Sequence, residues 1–212
     1  MSTVTVRGTA LAAVTPDRAE LSLALSHLAA DAATALDAIA ERSQRLEQIL
    51  TDKGFARTDW ATDGVQVAEE YQWKNDANVL VGHRASTAVT VTIRSVDLVG
   101  AVIRDGVTVT GASVRNLMWR VDADNPARRE LLGAAARDAR VRATAYVEAL
   151  GLRLGAVELI SELAPVADPT PVPRAAMMAF SKSADMGGAQ VSVSGGLVVL
   201  DAEVFVRFGT LA

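Results

Sequence analysis

Two runs of alternating apolar and polar residues lie near the start of the chain, over residues 3–12 and 19–26. Alternation sends successive side chains to opposite faces of a strand, so each run predicts a strand with one apolar face. The pair Pro16 and Asp17, typical of turns, separates the two runs. The pattern therefore predicts a β-hairpin with one face in water.

The apolar spacing becomes helical over residues 31–53, and Gly54 is suited to end that helix. Residues 65–73 and 79–93 alternate again on either side of a turn-forming stretch at 75–78. These two runs predict a second hairpin, longer than the first. Further on, Ser95 is suited to cap a short helix over 96–104 that Gly106 would end.

A strand-like run covers residues 113–121, and the clearest helix signature follows it. Asp124 or Asn125 is suited to the N-cap, Pro126 to the first turn, and Gly151 to the end of this helix. The residues expected on its packed face are Leu132, Ala135, Ala136, Ala139, Ala143, Tyr146 and Leu150. Such small side chains predict close docking of this helix on a sheet or on another helix.

Another strand begins near Val157, and a Pro- and Gly-bounded connection fills residues 165–190, as either an ordered arm or a mobile one. A final strand pattern covers 190–208. The order predicts an α+β fold, with a mostly antiparallel sheet of hairpins packed against two long helices. We expect a single domain over residues 1–212, with two small α+β subdomains as the alternative and subdivision points near 105–125 and 165–190.

Composition narrows the functional classes. Half of the 212 residues are hydrophobic and only 4% are aromatic, so Ala, Val and Leu must build the core. The net charge of −4 argues against nucleic acid as a partner, because phosphate binding needs a basic surface. The absence of cysteine excludes disulfides and thiolate chemistry. No apolar run is long enough for a transmembrane helix.

The predicted cellular location depends on whether a signal peptide has been removed. Strand pattern follows Met1 almost at once, with no basic segment and no apolar segment of the kind that forms a signal peptide. The chain as given is therefore expected in the cytoplasm. It would be periplasmic or extracellular if a leader had been removed.

The order of several short motifs resembles the SIMPL-domain family of bacterial proteins over nearly the whole chain. The early motifs are residues 6–10 and 15–19, followed by 50–54, 71–73 and 82–85. The strongest stretch is 134–155, which contains Ala-Arg-Val-Arg-Ala at 139–143 and Ala-Leu-Gly-Leu-Arg-Leu-Gly at 149–155. Two positions depart from the family pattern, since Arg142 stands where Lys is common and His83 where an aromatic residue is common.

The resemblance implies an α+β fold and a tendency to form homo-oligomers, in one described case a large ring-like or channel-like assembly. It also implies a relation to periplasmic immunogenic proteins and to a protein linked to oxidative-stress defence. It implies no established enzymatic activity, no cofactor and no catalytic residue.

The residues themselves offer little catalytic chemistry. His27 and His83 have no metal-ligating partners at a suitable spacing, so no metal site is expected. Glu69 and Glu70 are adjacent in a strand and must point to opposite faces, which prevents them from acting together on one substrate. The arginines of the long helix alternate with acidic residues and predict a solvated, ion-paired face.

Large apolar residues are better candidates. Tyr71, Trp73 and Trp60 are predicted either to line a ligand or interface surface or to pack across the second hairpin. Met177, Met178 and Phe180 lie in the 165–190 connection, where they either fold back on their own domain or dock on a neighbouring subunit. Met177, Met178, Phe180, Tyr71 and Trp73 form the predicted oligomer interface.

The leading hypothesis is a non-enzymatic protein of the SIMPL type that self-associates through strand edges and through the 165–190 connection. The alternative is a small-molecule or peptide-binding module, with a pocket between the sheet and the long helix. A hydrolase or redox enzyme is the third hypothesis, for which no nucleophile–base pair can be named.

Overall fold

A computed structural model describes residues 2–74, 76–163 and 193–212. Its three α-helices and seven strands form an α+β fold, as predicted. The strands are β1 (Thr3–Val14), β2 (Arg18–Ala29), β3 (Trp60–Lys74), β4 (Ala77–Ile93), β5 (Ser113–Arg120), β6 (Arg153–Ser161) and β7 (Val198–Leu211). The helices are α1 (Ala32–Asp52), α2 (Val96–Thr110) and α3 (Pro126–Ala149), and a 3-10 turn covers Arg57–Asp59.

The described strands form two sheets in which every pairing is antiparallel. One sheet has the order β1-β7-β6 and the other the order β3-β4-β2-β5. The chain correspondingly divides into two compact units. The described part of unit 1 is residues 2–14, 123–163 and 197–212, and that of unit 2 is 15–122 and 193–196, without residue 75.

The prediction of a first hairpin is wrong, because β1 pairs with β7 and β2 pairs with β4 and β5. Pro16 and Asp17 carry the chain from one sheet to the other. The Asp17 amide donates to the carbonyl of Arg120 at 2.9 Å, and its carboxylate accepts from the Asp122 amide at 2.7 Å. The connection is therefore anchored to the end of β5 and does not close a tight turn.

The core of unit 2 lies between its four-stranded sheet and the helices α1 and α2. The largest fully buried side chains there are Leu21, Leu23, Leu25, Leu46, Leu50, Val89, Val91, Ile93, Val99 and Val102. Asp31 caps α1 by accepting from the Thr34 amide at 2.9 Å. The second hairpin is present as predicted, with β3 and β4 paired as far as Lys74 and Ala77.

The short helix is longer than predicted, since α2 continues to Thr110. Gly106 lies inside it, where an added Cβ would be 3.0 Å from the Leu23 side chain. The glycine therefore permits close packing on β2 and does not end the helix. The end falls at Gly111, whose φ of 69° is the left-handed conformation that glycine adopts without strain.

In unit 1, α3 packs on the β1-β7-β6 sheet, as its small side chains predicted. Asn125 caps it by accepting from the Ala127 amide at 2.9 Å, and Gly151 follows its end. The predicted face is partly wrong: the buried residues are Leu131, Ala135, Ala139, Ala143 and Val147, while Leu132, Ala136, Tyr146 and Leu150 are exposed. The contact follows a strict four-residue row, and such a row is inclined to the helix axis.

Candidate functional site

The long hairpin of β3 and β4 extends beyond the part of its sheet that α1 and α2 cover. We call residues 65–74 of β3 and 77–82 of β4 the hairpin extension. All of its β3 residues are exposed except the half-buried Glu70, and residues 77–80 of β4 are exposed as well. Further along β4, from Ala85 to Ile93, alternate residues are buried in the core. Both faces of the extension are thus open within the described chain.

The two faces of the hairpin extension differ in chemistry. Val65 and Val67 pair with Thr87 and Ala85, so they lie on the side of the sheet that carries the core. Alternation along β3 adds Tyr71 and Trp73 to that side. Leu80 joins them because it pairs with Tyr71.

We call these five residues the apolar face of the hairpin extension. Their exposed fractions are 57% for Val65, 39% for Val67, 47% for Tyr71, 70% for Trp73 and 46% for Leu80. The opposite face carries Gln66, Ala68, Glu70, Gln72 and Lys74 from β3, together with the apolar Val79 of β4. The extension is therefore an amphipathic ribbon whose apolar side continues the core face of the sheet, and none of the described helices covers it.

A carboxylate divides the apolar face. Glu69 accepts a hydrogen bond from the Tyr71 hydroxyl at 2.6 Å. That hydrogen bond and the negative charge of Glu69 raise the pKa of the Tyr71 phenol above its usual range. The polar atoms among the apolar side chains are thus paired with each other, which lowers the cost of covering this face.

The neighbouring carboxylate, Glu70, points to the other face, as strand alternation predicts. The Arg84 guanidinium contacts both of its oxygens, with Nη2 donating to Oε1 at 2.7 Å and Nε donating to Oε2. These hydrogen bonds hold the pKa of Glu70 below its usual range. Arg84 lies on β4 and Glu70 on β3, so this ion pair links the two strands of the hairpin.

Sequence reasoning finds only part of this face. It named Tyr71 and Trp73, and both are exposed on the hairpin extension. It missed Val65, Val67 and Leu80, because alternation marks an apolar face without showing whether anything covers it. The structure places Trp60 in the core, with the Arg57 guanidinium 5.4 Å from its ring centre. The other three candidates, Met177, Met178 and Phe180, lie outside the described residues.

The two histidines occupy structural settings. His27 Nδ1 lies 3.4 Å from Nη2 of Arg42, and His83 Nδ1 lies 3.3 Å from the carbonyl oxygen of Ala30. Among residues 2–74, 76–163 and 193–212, no three histidine or acidic side chains are close enough to hold a metal ion. In that same part of the chain, no helix is both long and apolar enough to cross a membrane.

A separate depression lies in unit 1 at the start of α3. Its volume is about 450 Å³, and it is open to solvent. Leu131 and Leu132 of α3 line it together with Leu200 and Ala202 of β7, and its charged rim contains Arg128, Glu162, Asp201 and Glu203. This is a place between the sheet and the long helix where a small molecule could fit.

Two antiparallel sheets, three helices and, in the described chain, an uncovered amphipathic ribbon define an α+β protein with an exposed apolar surface. The sequence model of SIMPL, a protein family of unknown function (DUF541), matches residues 4–208. The chain belongs to the SIMPL family, as its motifs predicted.

Two relatives cover most of the chain. The 26 kDa periplasmic immunogenic protein of Brucella melitensis is 28% identical over 176 residues, which is 81% of this chain and 70% of that protein. The uncharacterized protein YggE of Edwardsiella ictaluri is 26% identical over 206 residues, which is 97% of this chain and 85% of that protein. YggE of Escherichia coli K12 is 29% identical over 108 residues, covering 51% of this chain and 44% of its own length.

Proposed function

We propose that the protein is a non-enzymatic member of the SIMPL family that self-associates into a homo-oligomer, with the hairpin extension as a subunit contact. The observation that carries the proposal is the uncovered apolar face. Five apolar side chains on one side of a two-stranded ribbon expose between 39% and 70% of their surface. A group of exposed apolar side chains on one face is typical of an interaction surface.

A second copy of the chain is the occupant that these residues favour. Tyr71 and Trp73 combine a large apolar area with a polar atom, and such residues dominate binding energy at protein interfaces. Both carboxylates of the extension already have partners in their own chain, since Glu69 accepts a hydrogen bond from Tyr71 and Glu70 is ion-paired with Arg84. A surface whose carboxylates are bound internally does not depend on a basic partner, so a like surface can cover it.

The 165–190 connection is the second part of the proposal. Met177, Met178 and Phe180 are apolar residues that its composition leaves without an evident local core, and Met adapts easily to a partner surface. Deletion of residues 170–186 should lower the number of subunits in the assembly if the connection bridges subunits. An unchanged mass would remove the connection from the proposal and leave the hairpin extension in it.

Size-exclusion chromatography with light scattering tests self-association directly. The wild-type protein should have a mass well above that of one chain, 22.2 kDa. The variant Trp73→Ser should dissociate at concentrations where the wild type stays assembled. Gln72→Ser is the matched control, because it changes the adjacent residue on the opposite face. A wild-type protein that stays monomeric at high concentration would refute the proposal.

We also propose an envelope location, in the periplasm. The support is the Brucella relative, which is named as a periplasmic protein. The resemblance to proteins linked with oxidative-stress defence adds a stress-related role. Fractionation of the native cell, with periplasmic and cytoplasmic marker enzymes, tests the location. Recovery with the cytoplasmic marker would refute it, and unchanged survival of a deletion strain under oxidants would refute the stress-related role.

A small-molecule or peptide-binding module is the second candidate, and the depression beside α3 favours it. Its volume of about 450 Å³ falls within the range of small-ligand sites, and its floor is apolar with charges at the rim. A thermal-shift screen with metabolites and peptides tests this candidate. A hit should be lost in Leu132→Glu and kept in Val141→Thr, which changes an exposed residue of the same helix outside the depression.

A further inference from the structure

The edge of β3 is open and regular where the apolar face lies. β3 is the end strand of its sheet, with β4 as its only neighbour in the described chain. The pairing of β3 with β4 has two irregularities. The first lies before the extension, where Asp63 and Gly64 of β3 are opposite a single residue of β4. The second is a bulge on β4, where Val81 is the extra residue. The backbone of β3 therefore runs without a bulge from Val65 to Lys74, and its outer amides and carbonyls can pair with another strand.

Strand alternation restricts how a second copy could pair with this edge. Residues directly opposite each other in an antiparallel pair lie on the same face. The apolar residues of β3 have odd numbers from Val65 to Trp73, and the polar face has even numbers. Two copies keep their apolar faces together only if odd residues oppose odd residues. A twofold axis must then pass through a residue and cannot pass between two residues.

Charge and length select among the remaining registers. An axis at Glu69 would set the two Glu69 carboxylates opposite each other on the apolar face, which is unfavourable. An axis at Ala68 would draw the bulge at Gly64 into the ladder and leave only residues 65–71 to pair. An axis at Tyr71 would leave residues 68–74. An axis at Glu70 pairs residues 66–74 without a bulge, which is longer than the ladders centred on Ala68 and Tyr71 and as long as the ladder of residues 65–73 centred on Glu69.

We propose that two copies of the chain join their β3 edges antiparallel about a twofold axis at Glu70, so that two four-stranded sheets become one continuous sheet. This inference rests on the proposed self-association and specifies its geometry. Val67 of each copy then lies opposite Trp73 of the other, an aromatic and β-branched pair of the kind that stabilises sheets. Glu69 lies opposite Tyr71, so the carboxylate keeps a phenol partner.

The two Glu70 side chains meet at the axis on the polar face. Each of them is held by its own Arg84, so the axis brings together two compensated ion pairs and no net charge. Lys74 falls opposite Gln66, which avoids a like-charge pair at either end of the ladder. The surface is therefore self-complementary in both apolar pattern and charge.

Single cysteines test the register, because the chain contains no cysteine of its own. Residues that face each other across an antiparallel pair have Cα atoms about 4.5–5.5 Å apart, which is within disulfide reach. Glu70→Cys alone should therefore give a disulfide-linked dimer under mild oxidation. Ala68→Cys and Gln72→Cys should each stay unlinked alone and should cross-link when the two variants are mixed.

The variants Ala68→Cys and Gln72→Cys, each tested alone, serve as matched controls for Glu70→Cys, because all three positions lie on the polar face of one strand. At the proposed register, residue 68 of one copy is offset from residue 68 of the other by four residues, or about 13 Å. The 68 and 72 mixture also keeps the Glu70–Arg84 ion pair, so it gives a result even if Glu70→Cys weakens the fold. The cross-linking yields of Glu70→Cys and of the mixture should exceed the yields of Ala68→Cys alone and Gln72→Cys alone by at least about tenfold.

The outcomes separate this inference from the proposed function. Cross-linking of Ala68→Cys alone would move the axis and overturn the register. An oligomer by light scattering with no cross-link at any of the three positions would overturn edge pairing and leave self-association standing. A monomeric protein would overturn both.

Discussion

β1 and β3 are both edge strands, but the β1 edge is packed against a helix while the β3 edge is open in the described chain. β1 lies under α3, where Gly8 brings the backbones so close that an added Cβ would be 2.6 Å from the Ala139 amide nitrogen. The Asp138 carboxylate accepts from the Thr9 amide at 2.9 Å, so α3 also satisfies a backbone donor of this edge strand. The Arg142 guanidinium donates to the same carboxylate at 2.7 Å.

β3 has no such cover in the described chain. Its edge carries exposed residues on both faces, and its apolar face is left open from Val65 to Trp73. An unprotected edge is normally a hazard, because another chain can pair with it. The contrast indicates that the fold can block an edge with a helix and a carboxylate. An edge that it leaves open, such as that of β3, is a place to examine for partner binding.

The largest expected effect concerns the blocked edge. Gly8→Ala places a Cβ 2.7 Å from the Ala139 Cβ, so α3 must move away from β1. We expect a loss of about 3 kcal/mol in the free energy of unfolding, because the helix backbone cannot yield locally. Urea unfolding followed by far-UV circular dichroism measures it.

Gly133→Ala is the control for that substitution. Its Cβ would be 3.3 Å from Nη1 of Arg137, the end of a flexible side chain, and Ala has the higher helix propensity. We expect a gain of up to about 1 kcal/mol. Equal effects of the two substitutions would show that the contact between Gly8 and α3 does not limit packing.

The elements of the fold could be predicted where local chemistry decides them. Gly54, Asn125 and Gly151 signalled ends of the two long helices, because caps act through hydrogen bonds within a few residues. The partner of β1 could not be predicted this way. Its register with β7 joins Val4 to Phe208, and alternation within β1 contains no information about a strand that distant in sequence.

The same limit applies to the candidate site. Alternation in β3 predicts an apolar face whether that face lies under a helix or in water. Tyr71 and Trp73 could be singled out because their residue types are favoured at interfaces. Val65, Val67 and Leu80 could not, since valine and leucine are ordinary core residues. Only the positions of α1 and α2 show that the face is uncovered.

The open edge gives the next largest effect. Val67→Lys places a charge in the middle of the apolar face of the hairpin extension. A pairing of like faces would have to bury this charge, so we expect the dissociation constant of the assembly to rise by at least about tenfold. Analytical ultracentrifugation over a concentration series measures it.

Ala68→Lys is the matched control, because it adds the same charge to the next residue on the polar face. We expect a much smaller change there, since Lys74 already places a lysine on that face. Equal weakening by the two substitutions would show that net charge, and not the apolar face, controls association.

A smaller effect concerns the carboxylate that blocks the β1 edge. The hydrogen bond from the Thr9 amide, followed by that from Arg142, holds the pKa of Asp138 below its ordinary value of 3.8. A carboxyl with a depressed pKa in the folded state stabilises the fold above its unfolded pKa. That stabilisation is lost as the pH falls through the folded pKa.

Asp138→Asn keeps an acceptor for Thr9 and removes the charge. The wild type should therefore unfold at higher urea than this variant at about pH 6, and the difference should shrink as the pH is lowered below about 4. The exposed residue Glu148, changed to Gln, is the control on the same helix. A difference between wild type and Asp138→Asn that does not vary with pH would contradict the assigned role of the charge.

The smallest effect is a titration on the open face. Tyr71 and Tyr146 are the two tyrosines of the chain, so Tyr146→Phe leaves Tyr71 as the only phenol. Its absorbance near 295 nm should titrate above the usual tyrosine range, because the hydrogen bond to Glu69 and its negative charge raise the pKa of Tyr71. Adding Glu69→Gln should lower that pKa towards the ordinary value of 10.0. Adding Glu70→Gln should leave it unchanged, because Glu70 lies on the other face with Arg84. If both substitutions shifted the pKa of Tyr71 equally, Glu69 and Glu70 would not lie on opposite faces of β3. The proposed pairing of two β3 edges about Glu70 depends on those faces and would then be wrong.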